Sequence, residues 1–174
     1  MPDSPPHWPA DIFDILKRYG VHIVGYVPDA GHTELIKRVH ADNGMRAVLL
    51  STEEEGVSLL AGAWLGNKRG VMLMQSSGVG NCINMLSLAK LTRFPFFTIV
   101  TMRGEFGEFN PWQVPMGSTT PDALRLMDLQ VLRADHPDEV GEVVQAGARL
   151  AYEGGTPAAV LLSQRLLGAK SFVK

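Results

Sequence analysis

The sequence predicts an α/β protein, a three-layer α/β/α arrangement around an open parallel sheet of about six strands. Three observations carry this reading. Short β-branched or uncharged runs alternate with longer amphipathic segments along most of the chain, and strict alternation implies right-handed crossovers between parallel strands. The strand-like runs are apolar almost throughout, as strands covered on both faces must be. The 174 residues also make a single domain of ordinary size, 1–174, with no linker and no internal repeat to divide it.

The elements follow in order. Residues 1–9 form a proline-rich arm. Ile12, Phe13, Ile15 and Leu16 give residues 10–19 the spacing of an amphipathic helix that ends at Gly20. A short strand over 22–27 leads through Pro28-Asp29-Ala30-Gly31-His32 into a helix over 33–42, stopped near Asn43-Gly44. Strand 47–50, helix 53–65, strand 70–75, helix 80–91 and strand 96–101 continue the alternation. The rhythm then breaks, because residues 102–120 are rich in Gly, Pro and aromatics without a consistent period. A loop that long within a domain is a functional lid, a binding loop or a disordered segment. Regular structure resumes with a short helix over 122–127, strand 130–132, helix 137–152 and strand 158–162.

Composition excludes several classes of function. Hydrophobic residues at 45% and charged residues at 20% belong to a globular protein rather than a disordered one. A formal net charge of -2 with the signs interspersed provides no basic stripe, so neither nucleic acid nor an anionic membrane is an expected partner. The single Cys82 can make no internal disulfide, the amino terminus lacks the basic start and apolar core of a signal peptide, and no apolar run approaches a membrane span. A cytoplasmic protein is expected.

The densest chemistry lies at Glu53, Glu54 and Glu55. Thr52 and Glu55 have capping-box spacing, and acids at a helix start complement the macrodipole. Glu54, however, is followed by Val57, Ser58, Ala61 and Leu65, with no charge until Lys68. A helix apolar all round is buried, and a carboxyl at its mouth would be partly desolvated and suited to proton exchange. Capping and chemistry both stand as readings. Ser76-Ser77-Gly78-Val79-Gly80-Asn81 follows a strand and opens a helix, so it is either a structural tight turn or an amide-lined cradle for an anion or polar ring. It lacks the third glycine of a dinucleotide fingerprint and any Walker lysine.

Asp29 and His32 sit where a strand's carboxyl end meets the next helix, the place where open parallel sheets bind ligands. Asp29 caps the helix or serves a ligand, and His32 alone reads as a surface residue. In the long loop Arg103, Glu105, Glu108 and Gln113 are either a polar lid or solvated charges. Arg103, just past a strand end, is placed to fork onto an anionic substrate. Met72, Met74, Met85 and Cys82 belong to the core. No metal-ligating cluster is present.

These segments together resemble the pyrimidine-binding domain of thiamine diphosphate enzymes, and among them the sulfopyruvate and phosphonopyruvate decarboxylases. The resemblance rests on Tyr26-Val27-Pro28-Asp29, on Glu53 to Val57 with Ala61-Gly62-Ala63, and on Met74 to Asn81 with Asn84. Arg103-Gly104-Glu105, Gln113 and Pro115-Met116-Gly117 complete it. It implies the thiamine diphosphate-binding, flavodoxin-like fold. It also implies that one glutamate bonds the aminopyrimidine ring nitrogen of the cofactor, a role that spacing to Ala61-Gly62-Ala63 gives to Glu54. Gln75, Ser76, Ser77, Gly78 and Asn81 would then line the pyrimidine pocket, with Asp29, His32, Arg103 and Gln113 toward the substrate.

The family's diphosphate and Mg2+ are held by Gly-Asp-Gly and a later Asn, and no Gly-Asp-Gly occurs in this chain. The resemblance therefore implies a separate diphosphate-binding beta subunit, an oligomer with sites at the interface, and decarboxylation of a small anionic 2-oxoacid to an aldehyde. The alternative from another class is a non-catalytic flavodoxin-like module for ligand binding or regulation, because fold alone does not fix function.

Overall fold

The computed structural model describes residues 7–168. Its strands are β1 (Val21–Tyr26), β2 (Arg46–Leu49), β3 (Arg69–Gln75), β4 (Phe97–Thr101), β5 (Gln130–Ala134) and β6 (Ala158–Leu162). They form one six-stranded sheet in the order β2-β1-β3-β4-β6-β5, and every pairing is parallel. The helices are α1 (Trp8–Arg18), α2 (Thr33–His40), α3 (Glu53–Leu65), α4 (Ser76–Cys82), α5 (Ser87–Thr92), α6 (Gln113–Leu126), α7 (Val140–Tyr152) and α8 (Gln164–Leu167). No described helix is long and apolar enough to cross a membrane.

Period-two alternation within fully buried strands divides the core into two slabs. Val71, Leu73, Ile99, Val160 and Leu162 face one slab with Ile12 and Leu16 of α1, Leu35 and Val39 of α2, and Val144 and Ala148 of α7. Met72, Met74, Val100, Ala159 and Leu161 face the other with Val57 and Leu60 of α3, Val79 and Cys82 of α4, Ala89 of α5 and Leu124 of α6. Strand interiors made of aliphatic side chains thus serve both layers, which is why the runs in the sequence look continuous rather than alternating.

Strand order reverses at two places. After β1 the chain steps outward to β2 and returns to β3, and after β4 it runs to the far edge as β5 before β6 closes the gap. Crevices open at the carboxyl ends of strands where order reverses. The segments leaving β1, β3, β4 and β6 therefore meet there, and they contain Asp29, Gln75–Gly78, Arg103 and Gln164.

Four expectations are corrected. Residues 102–120 are not one loop: α6 starts at Gln113 and runs to Leu126, taking in the expected short helix and leaving 102–112 as the loop. Its poor helix formers are accommodated by side-chain bonding, for Thr119 and Thr120 donate to the carbonyls of Pro115 and Met116 at 2.8 and 2.7 Å around Pro121. The expected helix over 80–91 is two pieces, α4 and α5, and α4 begins at Ser76 directly off β3. Residues 1–6 of the expected arm lie outside the described residues, while Trp8 and Pro9 are buried in the first turn of α1. Helix α3 is not apolar on a buried all-round surface either: Glu54, Ser58, Gly62 and Leu65 face outward, Leu65 at 88% exposure.

Candidate active site

The acid that reaches the interior is Glu53, the first residue of α3, at 8% exposure; Glu54 and Glu55 are exposed. The direction of the helix decides this, because residues one apart point roughly 100° apart and only Glu53 shares the inward face with Gly56, Val57 and Leu60. Glu54 therefore does not occupy the desolvated position expected of it. Glu55 does take part in capping, accepting the Ser51 N–H at 2.8 Å, although Thr52 makes no side-chain cap bond.

Helix α4 packs on Glu53 and shapes its surroundings. Asn81 donates from Nδ2 to Glu53 Oε2 at 2.8 Å. One turn earlier, Gly78 leaves room for the Glu53 carboxyl where it stands, since a Cβ there would lie 2.3 Å from it and displace it. Beside them a cavity of about 640 Å³ is lined by Ser77, Asn81, Pro111, Trp112, Pro115 and Met116. Buried Cys82 follows on the same helix. Burial above all, then the charges of Glu53 and Glu54, push its thiol up to about 12.

A second carboxylate, Asp29, stands at the carboxyl end of β1. Its Oδ2 accepts from Gly31 N–H at 2.9 Å and Thr101 Oγ1 at 2.8 Å, and its Oδ1 from Gln75 Nε2 at 2.8 Å. The capping reading of Asp29 is met, for it caps the one-turn 3-10 helix Ala30–His32; the same carboxylate also borders a cavity of about 120 Å³ lined by Ala30, Gly31, Thr101, Arg103 and Gln164. Burial is the largest single influence on its pKa and raises it. The bonds from Thr101, Gln75 and Gly31 and the nearby His32 together outweigh burial and hold the carboxyl below its usual range.

His32 is not a surface residue. It is fully buried, with Nε2 3.3 Å from the Met74 carbonyl and 3.2 Å from that of Ile99. Two carbonyl partners assign the proton to Nε2, and burial first, against Asp29 and those carbonyls, lowers the pKa so that the ring is neutral. Its Nδ1 has no partner. His32 fills the space under the strand ends.

Arg103 is also engaged otherwise than expected. Its side chain is 10% exposed, and Nε and Nη2 form a two-pronged pair with Glu108 at 2.6 Å each. Glu108, 3% exposed, further accepts from Gly104 N–H, Asn110 N–H and Gln164 Nε2. The Arg103 bond first, opposed by desolvation and aided by the others, lowers its pKa to about 2. The expected anion clamp is a loop anchor. Ser76 is likewise internal: its buried hydroxyl accepts from Arg103 N–H at 3.0 Å. Gln113 opens α6 with its Oε1 buried and unpartnered.

Sequence reasoning missed Gln164. It is 1% exposed, its Oε1 accepts from the Glu105 and Phe106 N–H groups, and its own N–H donates to Glu105, which pairs with Arg133 at 2.8 Å. The only signal was its place two residues past the end of a β-strand. Among the described residues no group of His, Cys, Asp and Glu is arranged to hold a metal ion.

Residues 9–106 match the family described as thiamine pyrophosphate enzyme, N-terminal TPP binding domain. Sulfopyruvate decarboxylase subunit alpha of Methanococcus maripaludis is 32% identical over 144 residues, covering 82% of this chain and 86% of that protein. The same subunit of Methanothermobacter thermautotrophicus is 35% identical over 84% and 90%. Phosphonopyruvate decarboxylase of Streptomyces viridochromogenes is 40% identical over 75% of this chain, which spans 34% of that longer protein. Among solved structures, 2-oxoglutarate:ferredoxin oxidoreductase from Magnetococcus marinus superposes with a TM-score of 0.68 over 92% of this chain and 29% of its own, at 14% identity, a likeness of fold. With its all-parallel sheet and a carboxylate set between α3 and α4, the chain belongs to the thiamine pyrophosphate enzymes, as their N-terminal TPP-binding domain.

Proposed function

We propose that the chain is the pyrimidine-binding alpha subunit of a cytoplasmic thiamine diphosphate-dependent decarboxylase, converting sulfopyruvate or phosphonopyruvate to an aldehyde and carbon dioxide. A diphosphate-binding beta subunit would carry the Mg2+, with sites shared between subunits in an assembly of at least two of each. One observation carries the reading. Glu53 is a nearly buried carboxylate with one amide donor on one oxygen, and among the described residues no cation pairs with it. Carboxylate oxygens have capacity for further donors, so the site suits a ring bearing an N–H or a nitrogen that shares a proton.

The role that the resemblance gave to Glu54 passes to Glu53 on this ground. When bound, thiamine diphosphate supplies the electron sink for the pair left behind as carbon dioxide departs. The chain's own residues bind and orient. With the cofactor in place, Glu53 would hold or move the proton at the pyrimidine nitrogen, while Asn81 fixes Oε2 and Gly78 gives the carboxylate room. Ser77, Trp112 and Met116 flank the same cavity. Asp29 presents a fixed acceptor on the substrate side. Sulfonate or phosphonate preference is supported by the relatives' activities, not by Arg103, which is paired with Glu108.

The test is co-expression with a partner carrying Gly-Asp-Gly and Asn, followed by measurement of carbon dioxide release from sulfopyruvate, phosphonopyruvate and pyruvate with thiamine diphosphate and Mg2+. Turnover of one of the two anionic substrates above pyruvate is expected. Absence of association and of cofactor binding would leave the non-catalytic module as the better reading.

A further inference from the structure

The Asp29 carboxylate is reached from its own turn and from two strands, β3 and β4, and the contact across the β1/β3 reversal is made by one side chain, Gln75. This residue ends β3, beside Thr101 of β4 in register. Both polar atoms of its amide are engaged within the protein: Oε1 accepts from Ser77 Oγ at 2.9 Å and Nε2 donates to Asp29 Oδ1 at 2.8 Å. The two contacts are mutually consistent, since turning the amide over would set its oxygen against the carboxylate. Gly31 lets the chain close on the same carboxylate, for a Cβ there would lie 2.7 Å from Thr101 Cγ2 and 2.9 Å from Asp29 Oδ2.

We propose that Gln75 is a positioning residue, oriented by Ser77, that holds Asp29 as a fixed, ionised acceptor where the strand order reverses, and that it is not a ligand of the cofactor. With three donors on four lone-pair positions, Asp29 retains one acceptor position on Oδ1. Its acceptor set and charge are thereby fixed before any ligand arrives, which is what preorganisation of an acceptor requires. The charged and titratable groups around it are His32 in its own turn, Lys37 of α2 across the neighbouring cavity, and Arg103 beyond β4. None of them donates to it, so the donors that set its charge are Gln75, Thr101 and Gly31. The same strand-to-helix segment carries Asn81, so two amides six residues apart grip the two carboxylates of the site. The consequence for turnover rests on the proposed function; the hydrogen-bond geometry and its effect on Asp29 do not.

The experiment separates the two. Carboxyl carbon resonances of the isotope-labelled full chain are followed against pH, Asp29 being assigned by its loss in Asp29→Asn, for the wild type, Gln75→Leu and Ser77→Ala. The midpoint of Asp29 rises by roughly one pH unit in Gln75→Leu, the scale of one hydrogen bond to a charged group. It rises less, in the same direction, in Ser77→Ala, which keeps the amide and guards against a Gln75→Leu chain that does not fold. An unchanged midpoint in the folded variants overturns the proposal whatever the enzyme does. In the reconstituted complex the dissociation constant for thiamine diphosphate stays within about threefold in Gln75→Leu, whereas a loss beyond about tenfold makes Gln75 a cofactor ligand and also overturns it.

Discussion

Asn81 donates to Glu53 at 2.8 Å, and the pair joins the first turn of α3 to α4. A carboxylate at a helix start is ordinarily solvated; here an amide from the neighbouring helix fixes one oxygen and leaves the other free. We expect Glu53→Gln to lower decarboxylation by roughly 10²–10⁴-fold, the usual contribution of a positioned proton-transfer group. Glu54→Gln, on the exposed face, should stay near wild type. Steady-state rates of the two variants in the assembled enzyme check this. The opposite ranking would return the chemistry to Glu54.

Removing the amide tests the other half of the pair. Asn81→Ala should lower kcat about 10- to 100-fold, the scale of one hydrogen bond to a charged group, with the thermal unfolding midpoint nearly unchanged because Asn81 is an exposed residue. A large stability loss with unaltered kcat would make the contact structural.

How much of this was legible in the sequence follows from range. The central strands β3, β4 and β6 were readable because aliphatic runs buried on both faces leave no other place for themselves, and the chemistry-bearing segments were readable because they follow strand ends. Choosing between Glu53 and Glu54 was not a matter of composition: it depends on the rotation of α3 about its axis, set by Val57 and Leu60 against Met72 and Met74 in the other layer. His32 and Arg103 were misplaced for a related reason. Their partners, the Met74 and Ile99 carbonyls and Glu108, are supplied by strand pairing and by the loop fold. Helix α6 was hidden because Gly117, Pro121 and three hydroxyl residues outweigh any helical period, and tertiary packing overrides such local preferences.

The Arg103–Glu108 pair gives the loop a pH signature. Glu108 has a folded pKa of about 2 against an ordinary value of 4.5. A depressed folded value means that its stabilisation is present above 4.5 and is lost as the pH falls from there toward 2. The wild-type melting temperature should therefore decline through this window more steeply than that of Glu108→Gln, which is already less stable at neutral pH because it leaves Arg103 without its charge partner. Parallel acid limbs in the two melting profiles would show that the pair contributes nothing to folding.

Gly117 fixes how that loop meets α6. A Cβ at this position would lie 1.9 Å from the Arg103 carbonyl oxygen, a backbone atom with no rotamer to give way. Gly117→Ala should cost about 3 kcal/mol or more, at the upper end of overpacking penalties, measured by urea denaturation. Gly62, where an added Cβ meets nothing within 4 Å, is the control: Gly62→Ala, inside α3, should stabilise the isolated chain by up to about 1 kcal/mol through helix propensity.

Cys82 reports on the packing that carries Glu53. Its thiol is fully buried and its pKa is pushed up to about 12, chiefly by burial and then by Glu53 and Glu54. Thiolate is the reactive form, so the native chain at pH 8 should be almost inert to a thiol reagent and react fully once denatured. Access requires α3 and α4 to separate locally, and the labelling rate then measures that opening. Gly78→Ala forces a methyl to within 2.3 Å of the Glu53 carboxyl, and relief comes only from displacing Glu53 or parting the two helices. We expect it to accelerate Cys82 labelling and to weaken thiamine diphosphate binding together. Faster labelling with unaltered cofactor affinity would mean that the opening lies away from the site, and Glu53 would then not be held by the packing of α4.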